Sequence, residues 1–294
     1  VSSEKLKALV NEVLYPLWDT KSVDHSVRTR SETRDAATSD LRVATGLLDI
    51  RLITGNADLV ANVQSDALEL WRKNAKENLQ DLQKSLQERH TRAGELAYLL
   101  EPDLKEARGG LRDIQALRAI ALSGAVTVPL EKISWAESTL NNVRESLHIA
   151  SGRGKDRLLF QEQDKVAQLL KYVDADAMMG DVARAARSVD YLLDYTWHTL
   201  EHKGKDGLGR ILKRPRVATV AKNVSASNRE IVIDPFTSFN EDPVVGLRAA
   251  ATAAQLGLPL SLDTCTELSE ALKKGEGVLS NPWPREAREL LIAL

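Results

Sequence analysis

Apolar residues spaced at three and four recur along most of this chain, and that period restricts the fold more than any other feature of the sequence. Leu6, Leu9, Val10, Val13, Leu14 and Leu17 share one face of a helix for which Ser2 or Ser3 is the expected N-cap. From Ser39 the pattern returns through Leu41, Ala44, Leu47, Leu48 and Leu52, with Gly55-Asn56 reading as its stop. Residues 58–100 read as one or two long helices, apolar on one stripe and charged on the other. Four more helices are expected at Leu111–Ser123, Leu130–Ala150, Gln161–Tyr172 and Asp176–Leu200, the last with Val189, Leu192, Leu193 and Trp197 in the core. A helical stripe is buried only against a partner, so the centre of the chain is expected to be a helical bundle.

Two stretches depart from that period. "WDTKSVDHSVRT", Trp18 to Thr29, has the Val, Ser and Thr content of a strand, with His25, Val27 and Thr29 on one side. Beyond Glu201 the sequence turns Gly-rich and basic, then β-branched. There "VATVAKNV" and "REIVID" around the polar "SASN" read as a small hairpin, and helices resume from Pro243. No internal repeat of fixed period is present.

Composition excludes several classes. In 294 residues, 43% hydrophobic and 28% charged residues describe a globular chain, long enough for two domains. A formal net charge of -2 provides no bulk attraction to nucleic acid or anionic membrane, and no apolar run approaches the ~20 residues of a membrane span. Cys265 is the single cysteine, which rules out an intrachain disulfide and a multi-cysteine metal site and suits a reducing cytosol. His198 and His202 lie four apart on one helix face, with Glu201 the nearest third ligand, and read as a solvated helix end rather than a metal site. "VSSEKLKALV" is neither a signal peptide nor an initiator start, so the chain reads as a piece of something longer.

Three motifs invite phosphate. "SGRGKDRLLF" has Ile149 where a P-loop needs its first Gly and Asp156 where it needs Ser or Thr, so it reads as a basic inter-helix loop. "KGKDGLGRILKRPR" sets Lys203, Lys205, Arg210, Lys213, Arg214 and Arg216 against Asp206 alone, yet no aromatic residue interleaves for base stacking, and a solvated linker is expected. "EPDLKEARGGLRDI" places Gly109 and Gly110 before a helix starting near Leu111. This is either an ordinary turn or a helix end whose free N–H groups, with Lys105, Arg108 and Arg112, attract an anion.

Four segments taken together carry more. "LWD" followed by "HSVRT", "DLRVATGLLDIRLITGN", "LEPDLKEARGGLRDIQAL" and "DRLLF" occur in the order and at the separations of one family. The chain resembles the bacterial PII uridylyltransferase/uridylyl-removing enzymes, strongly over residues 14–160 and more weakly onward through "DPVVGLRAAATAAQLGLPL". Glutamine synthetase adenylyltransferase carries a shorter relative of the Gly-Gly signature. The resemblance implies a mainly α chain in which residues 1–100 end a polymerase-β-type α/β nucleotidyltransferase domain and 101–200 form a helical bundle. Residues 201–294 then form a basic linker, a small β-hairpin and helices leading toward an HD domain.

The same resemblance implies Mg²⁺-assisted transfer of a nucleoside monophosphate from UTP or ATP to a tyrosine of the PII signal protein. Glutamine acts as effector through ACT repeats, and the location is cytoplasmic. The family's Ser-Asp-x-Asp metal motif does not occur here, so neither a catalytic nor a metal-binding residue is assigned, and the chain alone is expected to be inactive. Nor does the resemblance imply contact with nucleic acid or membrane. By position in the family's motifs, His25, Ser26, Arg28, Lys105 and Arg112 are the candidates for nucleotide or phosphate. Glu101, Asp103, Gly109, Gly110 and Asp113 are the signature's supporting residues, with Asp103 and Asp113 expected to pair with cations or cap helices. A helical module that docks PII without catalysis is the alternative.

Overall fold

A computed structural model describes residues 3–18, 25–203 and 217–294. Residues 19–24 of the expected strand and 204–216 of the basic linker, with Lys205, Arg210, Lys213, Arg214 and Arg216, lie outside the described residues, as does the Lys203 side chain. The chain is mainly α and divides into two compact units, Val1–Trp197 and His198–Leu294. The expected division at residue 100 falls inside the first.

The first unit begins with α1 (Ser3–Trp18). Leu9 and Val13 of its apolar stripe are more than half exposed. Residues 25–29 form no strand, contrary to expectation. Thr29 instead caps α2 (Arg30–Ser39): its hydroxyl accepts from Glu32 N, and Glu32 Oε2 accepts from Thr29 N at 2.7 Å. That reciprocal box satisfies two orphan donors and starts a helix in a segment with no apolar stripe. Asp40 then ends α2 and caps α3 (Leu41–Leu47), its Oδ1 accepting from Arg42 N at 2.7 Å. The helix stops well before Gly55, and Asn56 starts the next one rather than ending this one, accepting from Leu59 N at 2.9 Å.

α4 (Ala57–Lys73) and α5 (Ala75–Ala93) are separated at Asn74. α6 (Leu111–Ser123) has the bounds its periodicity gives. A 3₁₀ turn at Leu130–Ile133 leads into α7 (Ser134–Ser151), followed by α8 (Phe160–Leu169) and α9 (Ala175–Lys203). Gly152, in the basic loop, is the left-handed C-cap of α7. The core lies among these helices: Trp71, Leu117, Ile120, Leu140, Leu147, Val182 and Val189 are buried, and Trp71 Nε1 donates to Ala119 O at 2.8 Å, tying α4 to α6.

The second unit contains a three-stranded antiparallel sheet, β1 (Ala218–Ala221), β2 (Val224–Ser227) and β3 (Glu230–Ile233), rather than one hairpin. Asn223 adopts a left-handed conformation (φ 59°) and turns the chain inside "VATVAKNV", so Ser225–Ser227 of the "SASN" read as a turn belong to β2, paired Val224 to Ile233 and Ser227 to Glu230, while Asn228 (φ 53°) makes the turn into β3. Val224, Ile231 and Ile233 pack on Val245, Ala249 and Ala253 of α10 (Val245–Leu256). α11 (Leu262–Lys273) and α12 (Arg285–Ala293) follow. Buried Arg248 donates to Asp242 at 2.7 Å, to Glu286 at 2.7 Å and to Lys222 O at 3.0 Å. Among the described residues no helix is long and apolar enough to cross a membrane.

Candidate functional site

Residues 94–113 run from the end of α5 to the first turn of α6, and their polar groups are engaged partly within the loop and partly by the segments around it. Arg108 N donates to Gly94 O at 2.8 Å, and Leu96 N donates back to Arg108 O at 3.0 Å. Asp103 Oδ1 accepts from Lys105 N at 3.0 Å and Glu106 N at 2.8 Å, a local turn. The N–H groups at the start of α6 are not free, which suits the ordinary turn of the two alternatives. Gly110 N is taken by Ala107 O, Leu111 N by Leu104 O, Arg112 N by Lys105 O and Gly109 N by the carboxylate of Asp113 at 2.6 Å.

The two glycines have a steric cause. Gly109 has φ 83°, and a Cβ there would stand 2.5 Å from Ala186 O of α9; a Cβ on Gly110 would meet Ala107 O and Leu104 O at 2.8 Å. The loop crosses α9 too closely for any side chain at Gly109, which is a packing requirement rather than a phosphate cradle.

Asp113 is the centre of the junction and is fully buried. Arg89 Nη2 of α5 donates to its Oδ1, His90 Nε2 lies 2.9 Å from the same oxygen, and Gly109 N holds Oδ2. Arg89 Nη1 also donates to Glu106 O. Burial pushes the Asp113 carboxyl up, but the His90 hydrogen bond and the Arg89 charge outweigh it, and its pKa lies below the usual carboxylate value. Arg108 reaches the other way, donating to Asp190 at 2.5 Å and Asp194 at 2.7 Å on α9. Asp190 is shifted upward: burial is the largest cause, Arg108 opposes it, and Asp194 and Asp113 add to it.

A second centre forms where "DRLLF" meets the signature. Leu104 N donates to Asp156 O and Leu158 N to Pro102 O, each at 2.9 Å, making a short antiparallel bridge between Asp103 and Arg157. Asp156 Oδ1 accepts from Arg144 Nε at 2.6 Å and lies 2.9 Å from His148 Nε2, both on α7, while Lys105 Nζ stands 3.8 Å from its other oxygen. Burial raises the Asp156 carboxyl, and these cationic and hydrogen-bond partners hold it below its ordinary value. Glu101 Oε1 accepts from Phe160 N at 3.1 Å, at the start of α8.

The expected residues therefore fall in two places. Glu101, Asp103, Lys105, Gly109, Gly110, Arg112 and Asp113 come together in the junction, where Arg112 Nε pairs with Glu106 at 3.3 Å and stays half exposed. His25, Ser26 and Arg28 sit in the exposed segment before α2, the His25 ring 4.8 Å from that of Trp18. Arg89, His90, Arg144, His148, Asp156, Asp190 and Asp194 were not singled out for this junction. Of these, Arg144 and His148 on α7 and Asp190 and Asp194 on α9 left a local trace, each pair four apart on one helix face. The His198 and His202 rings lie 4.3 Å apart, His202 Nδ1 lies 2.7 Å from His198 O, and His198 Nε2 lies 3.3 Å from Arg229 O. Among the described residues no three His, Cys, Asp or Glu side chains converge as a set that could hold a metal ion.

This junction is a charge-paired knot that joins α5, α6, α7 and α9 inside one helical unit, and the family it belongs to is visible in the sequence around it. The family described as GlnD PII-uridylyltransferase matches residues 77–124 and 128–197, which include the knot and the helices it ties. The chain belongs to that family. It is similar to the bifunctional uridylyltransferase/uridylyl-removing enzyme of Streptomyces coelicolor, 41% identical over 98% of this chain and 35% of that protein. It is also similar to the enzymes of the same name from Mycobacterium tuberculosis (33%, 98% of this chain, 36% of that protein) and Corynebacterium glutamicum (30%, 95% and 39%). The chain thus spans about a third of the length of the curated relatives it matches. No solved structure matches it.

Proposed function

We propose that this chain is the helical portion of a PII-modifying nucleotidyltransferase. The whole protein transfers UMP or AMP from UTP or ATP to a tyrosine of the PII signal protein, releasing pyrophosphate, in the cytoplasmic control of nitrogen assimilation. In this reading residues 1–100 end the polymerase-β-type domain, and the Mg²⁺-binding aspartates belong to the two thirds of the relatives' length that the chain does not span. The HD domain that removes the nucleotide, and the glutamine-sensing repeats, are assigned to that length too. His25, Ser26 and Arg28 would face the nucleotide, and Lys105 and Arg112 would meet its phosphates from the edge of the junction.

The observation that carries the reading is the agreement of family match and geometry on one stretch: Gly109 and Gly110, inside the matched residues 77–124, stand where the fold leaves no room for a side chain. The test is label transfer by the full-length protein from UTP, and separately ATP, radiolabelled at the α-phosphate. Label on a PII tyrosine is expected; a fully folded protein that leaves PII unlabelled with both donors overturns the proposal. The alternative is a non-catalytic module that docks PII. It requires this chain alone to bind PII, and no binding at tens of micromolar removes it.

A further inference from the structure

Lys105, which the reading above turns toward phosphate, has a backbone held on both sides. Its N–H donates to Asp103 Oδ1 at 3.0 Å, and its carbonyl accepts from Arg112 N at 3.1 Å. Beside it Leu104 N donates to Asp156 O at 2.9 Å, the bond that lays "DRLLF" against the signature. What stays mobile is the side chain, 34% exposed. A lysine stem of four carbons loses rotamer freedom when a ligand fixes its ammonium, and that loss weakens binding.

Asp156 meets the ammonium from the inner side. Its side chain is 12% exposed, Arg144 Nε donates to Oδ1 at 2.6 Å, and His148 Nε2 lies 2.9 Å from the same oxygen. Oδ2 faces Lys105 Nζ at 3.8 Å, too far for a hydrogen bond but within reach of Coulomb attraction. Two effects compete here. A carboxylate beside an ammonium draws it away from phosphate, yet it also confines the stem before the phosphate arrives. The distances decide between them. Arg144 already compensates the carboxylate, and the ammonium spends no hydrogen bond on it, so the donors of Lys105 remain available to an anion. Arg157, in the same bridge, is paired with Glu101 at 3.4 Å. Arg112, by contrast, rests on Glu106, a carboxylate itself a third exposed.

We infer that Asp156 is a positioning residue for Lys105: held by Arg144 and His148 of α7, it keeps the ammonium at the exposed edge of the junction, preorganised for the phosphates of a nucleoside triphosphate. This rests on the reading of Lys105 as a phosphate contact and adds that α7 and "DRLLF" act on the nucleotide through it.

The test uses the full-length protein with PII as acceptor and labelled UTP, or labelled ATP, as donor. It compares Asp156→Asn, Lys105→Met and the double variant. Asp156→Asn keeps an oxygen for Arg144 and removes the charge that faces Lys105. It is expected to raise KM for the nucleotide at least about threefold with kcat within about twofold, and Lys105→Met to raise KM about tenfold. In the Lys105→Met background, Asp156→Asn should add no more than about 1.5-fold, since a residue that acts through another is not additive with it. Asp156→Glu, which restores the charge, should bring KM back to within about twofold of the unaltered protein. An equal rise in KM from Asp156→Asn with and without Lys105 would make Asp156 a structural residue and overturn the inference. So would an unchanged KM in the single variant, no recovery with Glu, or a variant unfolded at the assay temperature, while the assignment of Lys105 survives. An unaltered KM in Lys105→Met removes Lys105 from the nucleotide and overturns both. A folded, unaltered protein that labels PII with neither donor overturns the reading of the enzyme itself.

Discussion

Two carboxylates in the first unit each hold two basic side chains between helices, and they differ in solvent. Asp66 of α4 takes a bidentate fork from Arg30 (2.6 and 2.8 Å) and a third contact from Arg34 at 3.0 Å, but both guanidinium groups are nearly half exposed. Asp113 of α6 has the same kind of partners, Arg89 and His90, with almost no water on any of the three. Hydrogen bonding lowers both carboxyl pKa values, from Arg30 chiefly at Asp66 and from His90 against burial at Asp113. Geometry alone would rank the Asp66 fork higher. Burial reverses the order, because a partner lost inside the protein leaves an uncompensated charge, while a partner lost at the surface leaves one for water to solvate.

The sharpest way to break this comparison is Asp113→Ala, which strands buried Arg89. A loss of about 3–5 kcal/mol is expected for such a change, read by denaturant unfolding of the first unit; a loss near that of a surface mutation would refute the burial argument. Next is Gly109→Ala, which places a Cβ against the α9 backbone at a left-handed φ. Roughly 2–4 kcal/mol is expected from overpacking and backbone strain together, with Ala186→Gly unable to restore it because the obstructing atom is a carbonyl oxygen.

Acid titration follows, with opposite signs for neighbouring groups. Asp113, shifted down, contributes stability that is complete above the ordinary carboxylate pKa near 4 and is lost as pH falls through its lower folded value. Asp190, shifted up, favours the folded state as pH falls through its raised folded value toward the ordinary one. Asp190→Asn should therefore remove a small gain in stability on mild acidification and leave the steep loss at lower pH intact. An unchanged profile above pH 4 would count against the Asp190 assignment. The smallest effect is expected for Asp66→Asn, an unfolding midpoint close to the scatter of the measurement despite three good ionic contacts.

The helices were legible wherever an apolar stripe met a core. α6 emerged with the expected bounds because Ile114, Leu117 and Ile120 all face inward. α2 was illegible by that signal, since it buries no residue fully; its only local mark was Thr29 and Glu32, three apart. The third strand was hidden because Asn223 turns the chain in the middle of a β-branched run, a conformational event with no hydrophobic signature. For the junction, the sequence supplied the residues without their reasons. Gly109-Gly110 read as either an ordinary turn or an anion-attracting helix end, but the distance that demands glycine runs to Ala186, more than seventy positions away, and no window of local sequence contains it. Arg89 and His90 were hidden for the same reason: their partner, Asp113, is a non-local one.

Of the five tryptophans, Trp71 alone is fully buried, and its indole N–H bonds to Ala119 in the middle of α6. Trp135 and Trp283 stand nearly half in solvent. α4 therefore carries a built-in optical reporter of its contact with the signature helix. Shielded indole emits at shorter wavelength than hydrated indole, so the blue edge of the fluorescence spectrum belongs largely to Trp71, and any event that lifts α6 from α4 should register there as a red shift without a dye or a label.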